Sequence, residues 1–465
     1  MINRLGQKFT DIFQKNMPTA FVFAILLTII VSLVAFFWVG STPLTIIESW
    51  YDGFWSLLEF GMQIVLIIIT GYSIALSPIV KRTIDQLAEY ISTPKQVYFF
   101  VILIGVLLSM ISFGWVVITS VLARELALRV KGVNYPFLIA CVYFTMGSWV
   151  TGLSSSIPLL LNTENNYLIQ ANILTETIPT SYTLGSGLNF AMIVLFIVFA
   201  SIMILLLVPK DGKIKELNHM LGSKHESEEI SIKEEAESLK HSTKSLSDTL
   251  NNNIIIQMII VVMGLSYIIY HFSTKGFNLN FNIMIFIFLI VGLFLHKSPM
   301  RYAISMQRAS SNVSGILFQY PFYAGIMGIM LYTGLGEKLA EILASLSTPE
   351  NYAFFAYLTG GVVNFAIPSA GGEFAVVGPT ILKSVMDISS GLTETQVTAM
   401  ISRASMSIAY GESLSNLLQP FYLLLIFPVM GKGIKLQPRD VMGYLIIPFI
   451  LFFIIQSAMV LWWPL

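Results

Sequence analysis

A nine-residue pattern, Ser-Thr-Pro followed by four variable residues and Phe-Phe, occurs twice in this chain, at residues 92–100 and again at 347–355. The two copies lie in opposite charge surroundings. Lys81, Arg82, Lys95, Arg124, Arg129 and Lys131 flank the first, whereas Glu337, Glu341 and Glu350 dominate around the second. Cytoplasmic loops collect Lys and Arg, so the copies start from opposite faces of a membrane. A duplicated chain under that constraint folds as an inverted repeat.

Composition points to the membrane independently. Of the 465 residues, 55% are hydrophobic and 11% charged, and charge-free apolar stretches of spanning length recur throughout. With 26 basic and 26 acidic residues the net charge is zero, and neither a basic stripe nor a nucleotide-binding motif is present, so no nucleic-acid partner is expected. Cys141 is the only cysteine, which excludes disulfides within the chain and Cys-based metal sites. All five histidines, His219, His225, His241, His271 and His296, fall in or beside proposed loops, which removes the usual bases and ligands of an intramembrane enzyme.

Arg4, Lys8 and Lys15 precede an apolar run over 17–39 that is too long for a signal-peptide core and is read as a retained first span. A second span over 54–76 ends at Lys81 and Arg82. Residues 97–121 are long enough to cross, yet basic residues lie on both sides and Ser112, Phe113 and Gly114 interrupt them. A re-entrant hairpin resolves this: arms of about 12 to 15 residues at about 1.5 Å per residue reach mid-membrane and return. Such a turn must be buried in protein or line a wet cavity. The stretch 135–161 then crosses outward, broken by Gly147, Gly152 and the run Ser154, Ser155, Ser156, and its following loop carries Glu164 and Glu176 but no Lys or Arg. Residues 188–208 return inward.

The expected organisation is a first repeat over 1–208, a cytoplasmic polar linker over 209–252, a linking span over 253–272 and a second, inverted repeat over 281–465. The second half repeats the plan with spans over 281–295, 313–332, 397–427 and 441–461 and a hairpin over 352–382. The hairpin tip, 364–372, holds the proline, serine and glycines that break a helix, and 397–427 is interrupted by Gly411, Ser413, Ser415, Asn416 and Pro420. The fold class is thus all-α polytopic, with about nine spanning helices, two re-entrant hairpins, a cytoplasmic N-terminus and an external C-terminus. Only Lys275, Lys338, Lys383 and Arg403 of the 26 basic residues fall outside or near the outer face. Inverted repeats with discontinuous helices are an architecture of secondary transporters.

The sequence resembles the short-chain fatty acid transporter family over nearly its whole length. The likeness is carried by Asp52-Gly53-Phe54-Trp55, Phe60-Gly61-Met62-Gln63, Tyr135-Pro136, Gln319-Tyr320-Pro321-Phe322-Tyr323-Ala324-Gly325, the tip from Asn364 to Gly372, Ala409-Tyr410-Gly411-Glu412 and Gln419-Pro420-Phe421. The resemblance implies uptake of small monocarboxylates such as acetoacetate, butyrate or acetate across a bacterial inner membrane, by alternating access and as a homodimer. Two residues depart from the family pattern and bear on the coupling ion: Ala370 within the glycine-rich tip and Glu373 directly after it.

A bare charge near the bilayer centre costs several kcal/mol at least, so a carrier must supply partners at that depth. Helix breaks present N-termini that attract an anion and carbonyls that hold Na⁺. The candidate substrate-binding residues are therefore Ser112, Gly114, Ser154, Ser155 and Ser156 from the first half, with Asn364, Ser369, Gly371, Gly372, Ser413, Ser415 and Asn416 from the second. Ser155 and Ser415 occupy matching breaks and are expected to share one site. Glu412 and Glu373 are the candidates for coupling to Na⁺ or H⁺; no other cofactor is expected. Serine and glycine also serve close helix packing. Arg403 is read as snorkelling to the outer surface, with pairing to a substrate carboxylate as the alternative, and Arg124 with Glu125 as a cytoplasmic surface pair. A di- or tricarboxylate carrier is the rival within the class; an enzyme, a channel and a receptor are disfavoured.

Overall fold

The computed structural model of the protein describes residues 15, 18–56, 58–111, 113–153, 155–164, 166–170, 172–209, 214–221, 231–240, 245–276, 281–310 and 313–464. Every regular element among them is helical. The first half consists of α1 (Ala20–Val34, continued by a π-turn), α2 (Pro43–Ser56), α3 (Leu58–Ala75), α4 (Pro78–Tyr90), α5 (Pro94–Ile111), α6 (Val116–Arg129), α7 (Tyr135–Thr145), α8 (Ser156–Leu161) and α9 (Gly187–Leu207). After α10 (Ile254–Lys275) the second half consists of α11 (Phe281–His296), α12 (Pro299–Ser310), α13 (Ser314–Tyr332), α14 (Leu335–Ser345), α15 (Tyr352–Val363), α16 (Ala370–Ile388), α17 (Glu394–Ser415), α18 (Leu423–Met430) and α19 (Ile446–Trp462). Counted from α1 and from α11, the two halves place comparable elements in the same order. In both, Ser-Thr-Pro opens the helix pair: Gln96 Oε1 accepts from Thr93 N in the first, and Asn351 Oδ1 accepts from Thr348 N in the second.

By length and apolarity six of the described helices can cross a membrane, or eight if two bent pairs each count as one span. The nine-span reading differs in that α11, counted there as a span, is apolar but short, while α5, read as one arm of a hairpin, is itself of spanning length. Burial separates the layers. The Tyr135–Leu161 segment is 94% buried within the protein, but only 17% of the window in α1 and 22% of the window leading into α10 are. Helices that are apolar yet have so little protein cover belong against lipid, with α7 and α8 at the centre.

Four breaks sit in that centre, each with a local cause. α5 and α6 pack against each other and are joined through a 3-10 turn, Phe113–Trp115; Ser112 lies outside the described residues. A Cβ on Gly114 would stand 2.3 Å from Ile67 Cγ2, so this glycine serves the packing of the turn on α3. α7 passes through a 3-10 turn, Met146–Thr151, into extended backbone at Gly152. A Cβ on Gly152 would lie 1.9 Å from Met110 O, and Leu153 N donates to that same oxygen at 2.7 Å. α15 ends before Asn364, Pro368 offers no N–H, and Ser369 caps α16 by accepting from Gly372 N at 3.4 Å. α17 ends at Ser415 and, after Pro420, α18 leaves at 49°.

Two readings of charged residues change. Arg124 is not a surface pair with Glu125: it is 9% exposed and donates to Met430 O at 3.0 Å and Lys432 O at 2.8 Å, closing the C-terminal end of α18. Tyr135 Oη donates to the same Met430 oxygen at 2.8 Å. Glu125 instead pairs with Arg129 at 3.3 Å. In the polar linker the helix Ile232–Ser238 packs on α12, with Ala236 buried and Glu235 paired to Arg308. That stretch is docked on the second half.

α2 lies along α13 by mutual glycine contact. A Cβ on Gly328 would come within 2.3 Å of Ser49 O and 2.4 Å of Gly53 Cα, both backbone atoms that cannot swing aside. Gly328→Leu is expected to destabilise the protein by about 1 to 3 kcal/mol, read as a lower unfolding midpoint in detergent. Gly371→Ala, where an added Cβ meets nothing within 4 Å, is expected to unfold like the wild type.

Candidate functional site

The breaks of the second half close on one another through amides. Asn364 Nδ2 lies 2.7 Å from Ser415 Oγ, 2.8 Å from Asn416 Oδ1 and 3.0 Å from Glu412 O. An amide nitrogen has two hydrogens, and Ser415 Oγ itself donates to Glu412 O at 3.0 Å. A consistent assignment sends the two hydrogens to Ser415 and Asn416. Asn416 Nδ2 then donates to Glu412 Oε1 at 3.3 Å, and Gln419 Nε2 donates to Asn416 Oδ1 at 2.9 Å and to Asn364 O at 3.2 Å.

The side-chain atoms of this network that are left without any partner are all acceptors. Asn364 Oδ1, Gln419 Oε1 and Glu412 Oε2 are buried without a hydrogen-bond partner among the described residues. So are both carboxylate oxygens of Glu373, one turn into α16. Glu373 and Glu412 are 0% exposed and stand on helices that pack together. A buried, incompletely bonded carboxylate is costly unless a proton or cation compensates it. Such a cluster of oxygens suits a hard cation such as Na⁺.

The first half reaches the same place. Tyr143 Oη lies 2.8 Å from Asn416 O and 2.7 Å from Gln419 O, which share its single hydrogen, and Ser413 Oγ donates to Gly147 O at 2.6 Å. Tyr422 links the two helix-pair turns: its hydroxyl donates to Pro368 O at 2.8 Å and its ring stands edge-on to Phe113, centroids 5.3 Å apart. Phe113, Tyr143, Met146, Gly147, Trp149, Ser413, Asn416, Leu417 and Tyr422 enclose a small cavity of about 10 Å³, room for roughly one water. An acyl chain enters only if the surrounding turns part.

Of the sequence-derived candidates, Asn364, Ser415, Asn416 and Glu412 share one network, and Ser413 and Asn416 line the cavity. Ser154 and Ser112 lie outside the described residues. Ser155 Oγ and Ser156 Oγ are buried without a hydrogen-bond partner among the described residues, at the start of α8, which packs on both α16 and α17. Ser155 makes no hydrogen bond to Ser415, whose hydroxyl is committed to Asn364 and Glu412. Gly372 packs toward Met327, and Gly371 has no close neighbour. Arg403 does not simply snorkel: its Nη2 donates to Val460 O at 2.9 Å. Tyr143 was missed as a site residue, although a tyrosine inside an apolar run needs a partner for its hydroxyl.

Asn364→Leu removes the donor on which Ser415 and Asn416 depend and strands buried acceptors, at about 1 to 3 kcal/mol each. The expected outcome is loss of solute uptake with membrane insertion retained. Tyr422→Phe, which keeps the ring against Phe113, is expected to lower uptake less, as measured in vesicles.

The sequence pattern of the short chain fatty acid transporter family matches residues 1–462. A protein of Escherichia coli (strain K12) named for short-chain fatty acid transport is 34% identical over 449 residues, covering 96% of each chain. One of Haemophilus influenzae (strain ATCC 51907 / DSM 11121 / KW20 / Rd), named alike, is 31% identical over 450 residues, again covering 96% of each. Among solved structures the YdaH transporter of Alcanivorax borkumensis is similar at 14% identity and a TM-score of 0.44, over 96% of this chain and 98% of that one; likeness at this level assigns nothing. With its full-length family match and two relatives above 30% identity, the chain belongs to the short chain fatty acid transporter family, a family of transporters and not of enzymes.

Proposed function

We propose that the protein is a secondary carrier that moves small monocarboxylates such as acetoacetate, butyrate or acetate together with Na⁺ or H⁺ by alternating access. It works in a bacterial inner membrane as a homodimer, with nine spans, two re-entrant hairpins, the N-terminus cytoplasmic and the C-terminus outside. The observation that carries this reading is the meeting of breaks from both halves at Tyr143, Gly147, Asn364, Glu412, Ser413, Asn416 and Tyr422, buried within an apolar bundle.

Two kinds of polar group meet there. The unpartnered oxygens of Asn364, Glu412, Glu373 and Gln419 take the cation. The capped start of α16 at Ser369 and the hydroxyls of Ser155 and Ser156 offer donors for a carboxylate. The aromatic wall of Phe113, Tyr143, Trp149 and Tyr422 suits a short hydrocarbon tail once the cavity widens. A cation beside the substrate offsets a monoanion at a depth where neither is tolerated alone, so the two travel together.

The test is accumulation of labelled acetoacetate in proteoliposomes at fixed external pH, under an imposed Na⁺ gradient or an imposed pH gradient, with protein-free vesicles as control. Accumulation under either gradient is expected, and Glu412→Gln and Glu373→Gln are each expected to lower it by about tenfold or more. No accumulation under both gradients defeats the substrate assignment. For the topology, single cysteines flanking 112–114 and 364–372 in a Cys141→Ser background are expected to react from opposite sides; labelling from one side defeats the inverted arrangement.

A further inference from the structure

A second, larger cavity of about 560 Å³ lies away from the central network, against the ends of α9, α17 and α19. Its walls come from the loop before α9 (Ser181, Tyr182, Gly185), from the first residues of α9 (Ser186, Gly187, Leu188), from α17 (Thr395, Gln396, Ala399, Arg403, Met406) and from Pro464. Among the described residues Arg403 is the only formally charged group in that lining, and no acidic residue joins it.

Three features give the space a positive character. Arg403 forms no ion pair with an acidic side chain among the described residues; its Nη2 holds Val460 O, and its Nε is buried without a partner. α9 and α17 both begin at the cavity, so two long helices turn their N-terminal ends, with their partial positive charge, toward it. Glu394, the one acidic residue in the first turn of α17, is exposed and not part of the lining. A half-open space with a lone guanidinium, hydroxyls and apolar side chains matches a small organic monoanion: carboxylate on Arg403, short tail on Leu188, Ala399 and Met406.

Arg403 stands nine residues before Glu412 on α17, about 14 Å along the helix. We propose that this cavity is a vestibule that captures a small monocarboxylate on Arg403 before it passes to the central network. The assignment rests on the transport reading for its role, whereas its binding does not. On the proposed orientation it opens outward and raises the local concentration of anions over cations at the mouth of the carrier.

The test has two arms. In nanodiscs, butyrate is expected to raise the unfolding midpoint of the wild type; the shift persists in Asn364→Leu, is lost in Arg403→Gln and is partly kept in Arg403→Lys. In proteoliposomes, Arg403→Gln is expected to raise the KM for external butyrate by about tenfold with little change in the saturating rate. Thr395→Glu, at an exposed rim position that leaves the Arg403–Val460 bond in place, raises KM in the same direction. An unchanged KM in both variants, alongside normal wild-type uptake, overturns the vestibule and leaves the transport reading intact. A wild type that carries no monocarboxylate overturns the transport reading, and the vestibule is then decided by the nanodisc shift: loss in Arg403→Gln sustains it, persistence there overturns it.

Discussion

A helix broken inside an apolar interior exposes carbonyl and N–H groups that lipid cannot satisfy, and the centre of this protein is organised around that debt. Met110 O is met by Leu153 N, Gly147 O by Ser413, Pro368 O by Tyr422, Asn364 O by Gln419, and Asn416 O by Tyr143. Each donor comes from another segment, and two of these bonds run between the halves. Removing one donor leaves its acceptor buried and unpaired, which is why the central side chains are amides, serines and tyrosines and not larger apolar groups.

The same arrangement sorts acceptors from donors within the centre. Hydrogen bonding inside the Asn364–Glu412–Ser415–Asn416–Gln419 set engages Asn364 Nδ2 and Gln419 Nε2 twice and Asn416 Nδ2 once, and leaves three side-chain oxygens without a partner among the described residues. A set rich in donors would have favoured the substrate carboxylate itself. The acceptor surplus makes this end of the site attractive to positive charge, and two buried glutamates on packed helices strengthen that bias.

Much of the fold was legible because breaks announce themselves in composition. Pro368, Gly371 and Gly372, the serines near 154–156 and Pro420 stand out against apolar surroundings, and the helix ends fall at or beside them. Asn364 and Glu412 were legible for a related reason, since a strongly polar side chain in such a segment requires partners. The partners were not legible. Tyr143 reaches the network from 273 and 276 positions away and Gln419 reaches Asn364 across 55, and no local pattern encodes either contact. Ser155 and Ser415 show the limit of reasoning from the repeat: Ser415 finds Asn364 and Glu412 within its own half, whereas Ser155 Oγ has no hydrogen-bond partner among the described residues. Arg124 was misread because its basic neighbourhood resembles any cytoplasmic loop; its burial against Met430 and Lys432 depends on where α18 ends.

The Ser413–Gly147 bond has a consequence for biogenesis. The carbonyl of Gly147 must wait for a hydroxyl 266 positions further along the chain, and Arg124 must wait still longer for Met430 and Lys432, 306 and 308 positions away. While the nascent chain is being inserted, the first half therefore sits in the bilayer with its central break unanswered. A ribosome stalled in the polar stretch after α9 leaves a membrane-embedded fragment carrying exposed backbone polarity, a natural signal for quality-control proteolysis. Maturation is thus a late event, completed when the final quarter of the chain docks against helices inserted long before.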